Sequence, residues 1–270
     1  MSELNSMSVL EQLVDISRRA GLAILEWYDS DMGITRKSDD SPLTKADLAS
    51  HQLIQAELTN RWPETPVLSE ESVDIPWETR RNWQQYWLVD PLDGTKEFIN
   101  HNGEFTVNIA LIRNHQPVMG IVYVPVTDTS YFGARGIGAW SQQGTAEARS
   151  IKVRRPARQP AEIVGSRSHA NPELASQLAQ LGEHELVSMG SSRKFCRIAE
   201  GLADFYPRIG PTCEWDTAAA QAVVEAAGGQ VVTSDGSALA YNTKEAYLNP
   251  YFFVFGDPEK NWLKPFQNWP

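Results

Sequence analysis

The chain has 270 residues, of which 41 % are hydrophobic, and its formal net charge at neutral pH is −10. This length suits one large domain or two domains of moderate size. The negative charge argues against general affinity for polymeric nucleic acid, because Lys and Arg must neutralise the phosphates of a nucleic acid. A small anionic substrate remains compatible with this charge, since a bound cation can reverse the field inside a site.

Two cysteines are present, Cys196 and Cys213, and their spacing does not suit a zinc site. Isolated cysteines of this kind are typical of a reducing compartment. The sequence contains no apolar signal core and no run of 18 apolar residues, so we expect a cytoplasmic protein without a transmembrane segment. The composition leaves open a peripheral attachment to the cytoplasmic face of the inner membrane. It also leaves open the choice between a monomer and a homodimer.

The N-terminal part is predicted to form two helices. Ser8 and Glu11 have the spacing of a capping box, and apolar residues then recur at helical spacing, which predicts a first helix over about 9–28. A polar loop is expected over 37–43. Thr44 and Asp47 form a second capping-box pattern, which predicts the start of a second helix.

Acidic residues follow two predicted strands. Glu70 and Glu71 come after a strand that ends near residue 69. The segment Asp90–Thr95, with the sequence DPLDGT, follows the apolar run 86–89, which is typical of a buried strand. Pro91 cannot continue a strand ladder and Gly94 permits unusual backbone angles, so we predict a sharp turn there.

This turn would aim the carboxylates of Asp90 and Asp93 and the Leu92 carbonyl at one point. Mg²⁺ prefers such oxygen ligands. The short turn that begins at Thr95 would offer free N–H groups to a phosphate. The segment therefore predicts a metal site beside an anion site.

A mainly antiparallel sheet is predicted next, with paired strands over 106–112 and 118–124 and a glycine-rich hairpin over 133–140. The Pro- and Arg-rich stretch 154–160 predicts a boundary between two subdomains. The N-terminal subdomain, 1–153, carries Glu70 and the DPLDGT segment. The C-terminal subdomain, 154–270, carries the downstream motif and the substrate-binding residues. We interpret the basic run 152–158 as a solvated connector.

The C-terminal subdomain alternates short apolar runs with helical segments, which predicts a layered α/β arrangement. Strands are expected at 163–164, 186–187, 205–206, 231–232 and 252–255, and helices near 173–181 and 194–202. Asp216 is predicted to open a further helix that ends near Gly228. A carboxylate in the first turn is favoured by the helix dipole alone, so a purely structural role for Asp216 stays open.

Three motifs occur in a fixed order: Glu70-Glu71, DPLDGT at 90–95, and Trp215-Asp216-x-Ala-Ala. With them the chain resembles the inositol monophosphatase superfamily of metal-dependent, lithium-sensitive phosphatases. The segments 103–110, 165–169 and 190–196 make it most similar to the bacterial bisphosphate nucleotidases within that superfamily. The resemblance implies an α/β (α+β) fold, a layered αβαβα sandwich of the inositol monophosphatase and fructose-1,6-bisphosphatase type. The active site would lie between the two subdomains.

The resemblance also implies the roles of individual residues. Two or more Mg²⁺ ions would be bound by four carboxylates and one carbonyl, those of Glu70, Asp90, Asp93, Asp216 and Leu92. Cations are required there on physical grounds as well, because four carboxylates in one cleft would repel each other. Asp47 and Thr95 resemble the pair that, together with Glu70, helps to activate the attacking water. Asp47 could equally serve only its capping box, and the two roles are compatible. Glu71 is expected to assist without binding a cation directly.

Substrate contacts are implied at a further set of positions. Ser168, His169, Gly190 and Lys194 occupy positions similar to those that hold the nucleotide in bisphosphate nucleotidases. For His169 alone, a solvent-facing loop histidine is the alternative. The metal-site segment is also expected to touch the substrate, through Glu70, Leu92, Asp93, Gly94, Thr95 and Asp216. Trp215 is expected to support Asp216 from the core.

The implied reaction is the removal of the 3′-phosphate of adenosine 3′,5′-bisphosphate, which leaves AMP, by direct attack of water. A role in sulfate assimilation and inhibition by Li⁺ and Ca²⁺ come with the resemblance, and action on the sulfated nucleotide is left open. Two alternatives remain: an inositol or sugar monophosphatase with the same metal site, and a nucleotide sensor without catalysis.

Two other phosphatase and metal-binding patterns fit poorly. Haloacid-dehalogenase phosphatases separate their two aspartates by one residue, whereas Pro91 and Leu92 stand between them here. A calcium-binding EF-hand loop would require Asp or Asn where Leu92 and Gly94 stand.

Overall fold

The computed structural model describes residues 4–30, 32–36, 42–166 and 172–267. Within these ranges the chain forms helices and strands in alternating groups. The helices are α1 (Met7–Leu25), α2 (Lys45–Arg61), α3 (Trp77–Arg80), α4 (Thr95–Ile99), α5 (Pro172–Ala179), α6 (Arg193–Ala199) and α7 (Ala218–Ala226). Short 3₁₀ helices cover Pro125–Thr127, Glu214–Asp216 and Lys264–Phe266.

The strands form two main sheets and one small ribbon. The ribbon consists of β1 (Thr35–Arg36) and β2 (Pro42–Leu43). The first sheet contains β3 (Val67–Ser69), β4 (Gln85–Asp93), β5 (Thr106–Arg113), β6 (Gln116–Val124), β7 (Thr129–Ala134), β8 (Gly138–Gln143) and β9 (Arg149–Ser150). The second sheet contains β10 (Ala161–Ser166), β11 (His184–Met189), β12 (Phe205–Arg208), β13 (Gln230–Thr233) and β14 (Phe252–Phe255).

The first sheet follows chain order from β3 to β9. β3 and β4 run parallel, and every later neighbouring pair is antiparallel. The second sheet has the order β11-β10-β12-β14-β13. In it β10 runs parallel to β11 and β12, whereas β14 is antiparallel to both of its neighbours. The predicted strand pair, the glycine-rich hairpin and the α/β alternation of the C-terminal half are confirmed.

Five layers follow from the way the sheets bury both faces. Along β4, Trp87 and Val89 belong to a core cluster shared with α1 and α2, whereas Tyr86 and Leu88 point into a cluster shared with α6, α7 and the second sheet. A third cluster covers the outer face of the second sheet with α5 and the C-terminal 3₁₀ helix. Because side chains alternate between the faces of a strand, each sheet is covered twice. The result is the predicted αβαβα sandwich.

The start of the first helix differs from the prediction. The helix begins at Met7, and its cap is Ser6, whose Oγ accepts a hydrogen bond from the Val9 amide at 3.4 Å. The predicted capping box of Ser8 and Glu11 is therefore wrong. Met7 packs against the core cluster beneath α1, so the helix extends further toward the N-terminus than the capping pattern indicated. The second helix confirms its prediction, since Thr44 and Asp47 form a complete capping box.

The basic run 152–158 is not a freely solvated connector. Arg154 donates to both carboxylate oxygens of Asp204, at 2.9 and 2.8 Å, and the Asp204 side chain is fully buried. Arg155 donates to the Gly256 carbonyl at 2.6 Å. A buried carboxylate is costly unless it is paired, so these arginines satisfy groups beside the ends of β12 and β14. The subdomain boundary at residues 153 and 154 stays a prediction.

No helix within the described ranges combines the length and the apolar character needed to span a bilayer. Neither Cys196 nor Cys213 forms a disulfide within the described part of the chain. Of the polar loop predicted at 37–43, residues 37–41 lie outside the described ranges, and residues 42–43 form β2.

Candidate metal and substrate site

The DPLDGT segment forms a β-bulge and does not lie beyond a strand end. β4 continues to Asp93. Asp90 pairs with Asn108 and Asp93 pairs with Thr106, so β4 has one more residue than β5 between these two pairs. Pro91 lies inside the bulge, where its missing N–H group is not needed for the ladder. The prediction that the strand stops at Val89 is therefore wrong. The bulge still turns neighbouring carboxylates toward one corner, as the sharp turn was expected to do.

Contacts with α2 and within the segment hold the bulge in place. Ser50 Oγ on α2 donates to the Pro91 carbonyl at 2.7 Å, and the Leu92 amide donates to Asp90 Oδ1 at 3.0 Å. Gly94 follows with a φ of 92°, in the left-handed region that favours glycine, and caps α4. The short turn expected to begin at Thr95 is observed as the short helix α4.

Carboxylates from distant parts of the chain meet at this corner. Asp90, Asp93 and Asp216 each offer an oxygen, and these oxygens all lie within 4.8 Å of one another. Glu70 lies beside them, because it interacts with both Asp90 and Asp216 and lines the same cavity as Asp93. The geometry thus satisfies the main requirement of the sequence prediction, which was that distant acids converge.

The protonation of this cluster reflects burial and mutual repulsion. Burial raises the pKa of Asp90 well above its usual value, and the nearby carboxylates of Glu70, Asp93 and Asp216 raise it further. Burial and then Asp93 and Glu70 raise the pKa of Asp216 to about 8. Burial also raises the pKa of Asp93, although the Lys194 ammonium opposes this shift. Such a group of oxygen donors suits a hard divalent cation, which would replace the protons and hold the carboxylates ionised.

Asp216 also has a structural role, but the prediction that it opens the next helix is wrong: it ends the 3₁₀ helix Glu214–Asp216, and α7 begins at Ala218. Its Oδ2 accepts a hydrogen bond from the Cys213 amide at 2.8 Å, which caps the 3₁₀ turn before α7. α7 itself packs very closely on the first sheet, because a Cβ at Gly120 would lie 2.3 Å from the Ala219 carbonyl oxygen. Trp215 lies in the core cluster between the sheets, with its ring 5.0 Å from that of Tyr247. Close packing of α7 and burial of Trp215 therefore place Asp216 at the end of β4.

Asp47 uses its two carboxylate oxygens for two purposes. Oδ2 accepts from the Thr44 amide at 2.8 Å and from the Thr44 hydroxyl at 2.5 Å, which completes the capping box. Oδ1 accepts from the Thr95 hydroxyl at 3.2 Å. The structural role and the contact with Thr95 therefore coexist, as the sequence allowed. Glu71 lies next to Glu70, with its amide donating to Ser69 Oγ at 3.4 Å.

The loop between β11 and α6 forms the opposite wall. The Gly190 amide donates to Glu104 Oε2 at 2.8 Å, and a Cβ at Gly190 would lie 2.9 Å from the side chains of Glu97 and Glu104. Lys194 is 5 % exposed and donates to the Ser191 carbonyl at 2.6 Å. Burial lowers the pKa of Lys194 to about 8. Ser168 and His169 lie outside the described residues.

Two polar residues of this wall were not assigned from the sequence. Ser191 has a φ of 46°, and its buried Oγ has no hydrogen-bond partner within the described ranges. Arg208 on β12 is buried; its Nη2 donates to the Pro211 carbonyl at 2.8 Å, whereas its buried Nε has no partner there. Strained backbone and unpaired buried polar atoms are typical of binding sites. The Ser-Ser repeat at 191–192 was visible in the sequence, but nothing around residue 208 pointed to the cavity.

Many of these groups line one cavity of about 330 Å³. The carboxylates of Glu70, Asp93 and Asp216 lie in its wall, and so do the cations of Lys194 and Arg208. Thr95, Gly94 and Gly190 line it as well. Acidic and basic groups thus share a single polar cavity between the two sheets.

A sequence profile of the inositol monophosphatase family matches residues 5–256. The chain belongs to this family. The 3′(2′),5′-bisphosphate nucleotidase CysQ of Salmonella typhimurium is 52 % identical over 249 residues, which cover 91 % of this chain and 99 % of that protein. The nucleotidase of the same name from Haemophilus influenzae is 35 % identical over 260 residues, which cover 96 % of this chain and 97 % of that protein.

Solved structures of the inositol monophosphatase family have the same fold. The crystal structure of CysQ from Bacteroides thetaiotaomicron superposes with a TM-score of 0.83 at 43 % identity, covering 94 % of this chain and 99 % of that one. The extragenic suppressor protein suhB from Bartonella henselae gives a TM-score of 0.79 at 23 % identity, covering 97 % of this chain and all of that one, and supports the fold alone. The fold predicted from the resemblance is confirmed.

Proposed function

We propose that the chain is a Mg²⁺-dependent phosphatase that removes the 3′-phosphate of adenosine 3′,5′-bisphosphate to leave AMP. The observation that carries this proposal is the cavity itself, where a carboxylate cluster and two buried cationic side chains line the same space. A substrate with two phosphates requires both kinds of group: one phosphate beside bound cations and the other beside Lys194 and Arg208. The resemblance to curated bisphosphate nucleotidases supports the same substrate class.

The residues proposed to hold the cations are Glu70, Asp90, Asp93, Asp216 and the Leu92 carbonyl. They supply oxygen ligands only, which is the set that Mg²⁺ prefers. When bound, two or more Mg²⁺ ions would lower the pKa of a water molecule and neutralise charge on the phosphoryl group. The carboxylates meanwhile lose the mutual repulsion that raises their pKa values.

Thr95 and Asp47 are proposed to orient the attacking water. The Thr95 hydroxyl donates to Asp47 Oδ1, so its oxygen lone pairs point away from Asp47 and can accept a hydrogen bond from water. As the water attacks, its proton would pass to Thr95 Oγ1 while the Thr95 proton passes to Asp47 Oδ1. Asp47 is itself held by the Thr44 capping box, so the pair keeps its orientation without substrate. Attack of the water oxygen on phosphorus breaks the bond to the ribose 3′-oxygen. Glu70 completes the catalytic set.

The loop between β11 and α6, with Lys194, forms one wall of the cavity together with Arg208. This cationic wall is proposed to hold the 5′-phosphate. Lys194 is held by backbone carbonyls beside the cavity, and Arg208 has an unpaired Nε there. Gly190 permits the close approach of backbone to backbone that this wall requires. Ser168 and His169 remain proposed contacts to the nucleotide. Inositol 1-phosphate has no second phosphate that could bind to these cations.

A substrate panel tests the proposal. Phosphate release with Mg²⁺ is measured for adenosine 3′,5′-bisphosphate, its 2′-isomer, the sulfated nucleotide, inositol 1-phosphate and a simple aryl phosphate. We expect the bisphosphates to have a kcat/KM at least about 100-fold above that of inositol phosphate, because a charged pair in a buried site contributes about 3 kcal/mol. A preference for inositol phosphate would establish the monophosphatase alternative. No turnover of any ester would establish the sensor.

Variants of the cationic wall sharpen the test. Lys194→Ala should reduce kcat/KM for the bisphosphate by about 100-fold and for the aryl phosphate by less than about threefold. Lys152→Ala is the matched control, because this lysine lies in the segment outside the cavity. Equal losses on both substrates in Lys194→Ala would contradict the assignment of the second phosphate to this wall.

A further inference from the structure

Ser192 links the cationic wall to the carboxylate cluster. Its backbone amide donates to Asp93 Oδ2 at 2.6 Å, and its hydroxyl lies 2.8 Å from the same oxygen. The hydroxyl also lies 2.8 Å from the backbone carbonyl of Asp216 and accepts from Asn108 Nδ2 at 2.9 Å. The residue is 2 % exposed. One buried serine therefore contacts both halves of the proposed metal site.

These contacts distinguish the two oxygens of Asp93. Oδ2 accepts the Ser192 amide at 2.6 Å and lies 2.8 Å from the Ser192 hydroxyl, and Thr106 Oγ1 and Asn108 Nδ2 lie 3.3 and 3.5 Å from it. A carboxylate oxygen has only two lone pairs, so Oδ2 has no capacity left for a cation. Oδ1 is thus the oxygen left for a cation. Ser192 sets which oxygen of Asp93 can bind metal.

The same serine belongs to the loop that the nucleotide would contact. Ser191, next to it, has a strained backbone and an unpaired hydroxyl at the cavity, within the described part of the chain. Lys194, two residues later, donates back to the Ser191 carbonyl. A ligand that engages Ser191 or Lys194 must therefore act on the peptide that carries the Ser192 amide.

We propose that Ser192 is a positioning residue. Through Asp93 it couples ligand binding at the cationic wall to the affinity of the carboxylate cluster for cations. The inference rests on the proposed function and deepens it. A ligand on the wall holds the loop in place. The amide and hydroxyl of Ser192 then stay on Oδ2 of Asp93, and Oδ1 stays turned toward the cations. Thermodynamic linkage then requires the reverse as well: bound cations raise the affinity of the wall for the nucleotide by the same factor.

Calorimetry measures this coupling without turnover. Mg²⁺ is titrated into the wild type and Ser192→Ala, each alone and with saturating AMP, and AMP is titrated with and without Mg²⁺. The variant keeps the backbone donor to Asp93 and loses the hydroxyl. We expect its Mg²⁺ affinity to fall about 10-fold, as for other groups that orient metal ligands. The factor by which AMP improves Mg²⁺ binding should fall toward one, whereas AMP affinity without Mg²⁺ should stay within about twofold.

Controls separate positioning from general damage. Ser17→Ala removes an equally buried hydroxyl, which donates only to the Val14 carbonyl on α1, and should leave both affinities and their coupling unchanged. A merely structural role for Ser192 would lower both affinities and preserve the coupling factor, which would overturn the proposal. If Ser192→Ala does not fold, Asn108→Ala removes the donor to the Ser192 hydroxyl and should reduce the coupling in the same direction.

The outcomes also distinguish this inference from the proposed function. Inorganic phosphate replaces AMP in a parallel titration. If neither ligand changes the Mg²⁺ affinity of the wild type, the coupling is refuted even when the substrate panel shows rapid turnover. If the panel shows no turnover but AMP and Mg²⁺ still strengthen each other in the wild type and not in the variant, the coupling stands and the proposed function fails.

Discussion

Asp93→Asn separates the chemical role of the cluster from its structural role. The amide has the same shape as the carboxylate, and its oxygen can take the place of Oδ2, which accepts a hydrogen bond from the Ser192 amide and lies 2.8 Å from the Ser192 hydroxyl. The amide nitrogen then replaces Oδ1 on the side of the other carboxylates. Fold contacts are kept, while the negative charge and one cation ligand are lost.

The expected magnitudes follow from these contacts. Bound cations contribute several kcal/mol to phosphoryl transfer, and a loss of about 4 kcal/mol corresponds to roughly a 1,000-fold lower kcat. The free energy of unfolding without metal should change by less than about 1 kcal/mol, because the variant also removes a buried charge that Asp90 and Asp216 repel. The variant should also lose the stabilisation that Mg²⁺ confers on the wild type.

Phosphate release and chemical denaturation, each with and without Mg²⁺, measure both quantities. Asp128→Asn is the control, because Asp128 pairs with Arg18 at 2.9 Å away from the cavity. It should keep full activity. A kcat for Asp93→Asn within tenfold of the wild type would refute the metal assignment, and a loss of more than about 3 kcal/mol of metal-free stability would show that Asp93 is chiefly structural.

Three further outcomes follow from the geometry. Burial lowers the pKa of Lys194 to about 8, so its charge is present below pH 8 and lost above it. The KM for the bisphosphate should therefore rise about tenfold per pH unit above pH 8. A KM that stays constant up to pH 10 would contradict this. Gly120→Ala would force a Cβ against Ala219 and should cost about 3 kcal/mol, whereas Gly136→Ala, with open space and only a positive φ, should cost about 1 kcal/mol by denaturation. Arg80→Met leaves carbonyl groups of the loop before β14 without their donor. It should lower the free energy of unfolding by about 3 kcal/mol. A variant with an unchanged free energy of unfolding would show that this buried guanidinium is dispensable.

The site could be predicted from the sequence where its residues lie close together along the chain. Asp90 and Asp93 share one segment with Pro91 and Gly94, so their local convergence is encoded within six residues. The Thr44 capping box likewise located Asp47 at the start of α2. The spacing did not reveal the bulge, because a bulge is defined by the pairing of β4 with β5 and not by β4 alone.

Residues of the cationic wall were harder to predict. Arg208 lies on a short apolar strand whose pattern indicates a core position, and its orientation toward the cavity depends on the neighbouring strands. The contacts of the Ser192 amide and hydroxyl with Asp93 Oδ2 join residues 99 positions apart, so no local pattern could have indicated them. The helix cap at Ser6 was missed for a similar reason, since packing of Met7 on the core extends α1.

By itself the sequence determined the alternation of helices and strands and the family, and it proposed a set of oxygen ligands, because periodicity and short motifs are local properties of the chain. Only the tertiary structure decided how the cationic wall is built and which oxygen of Asp93 Ser192 contacts. Those features depend on pairing and packing between segments far apart in sequence, where burial and hydrogen-bond capacity, and not residue spacing, select the geometry.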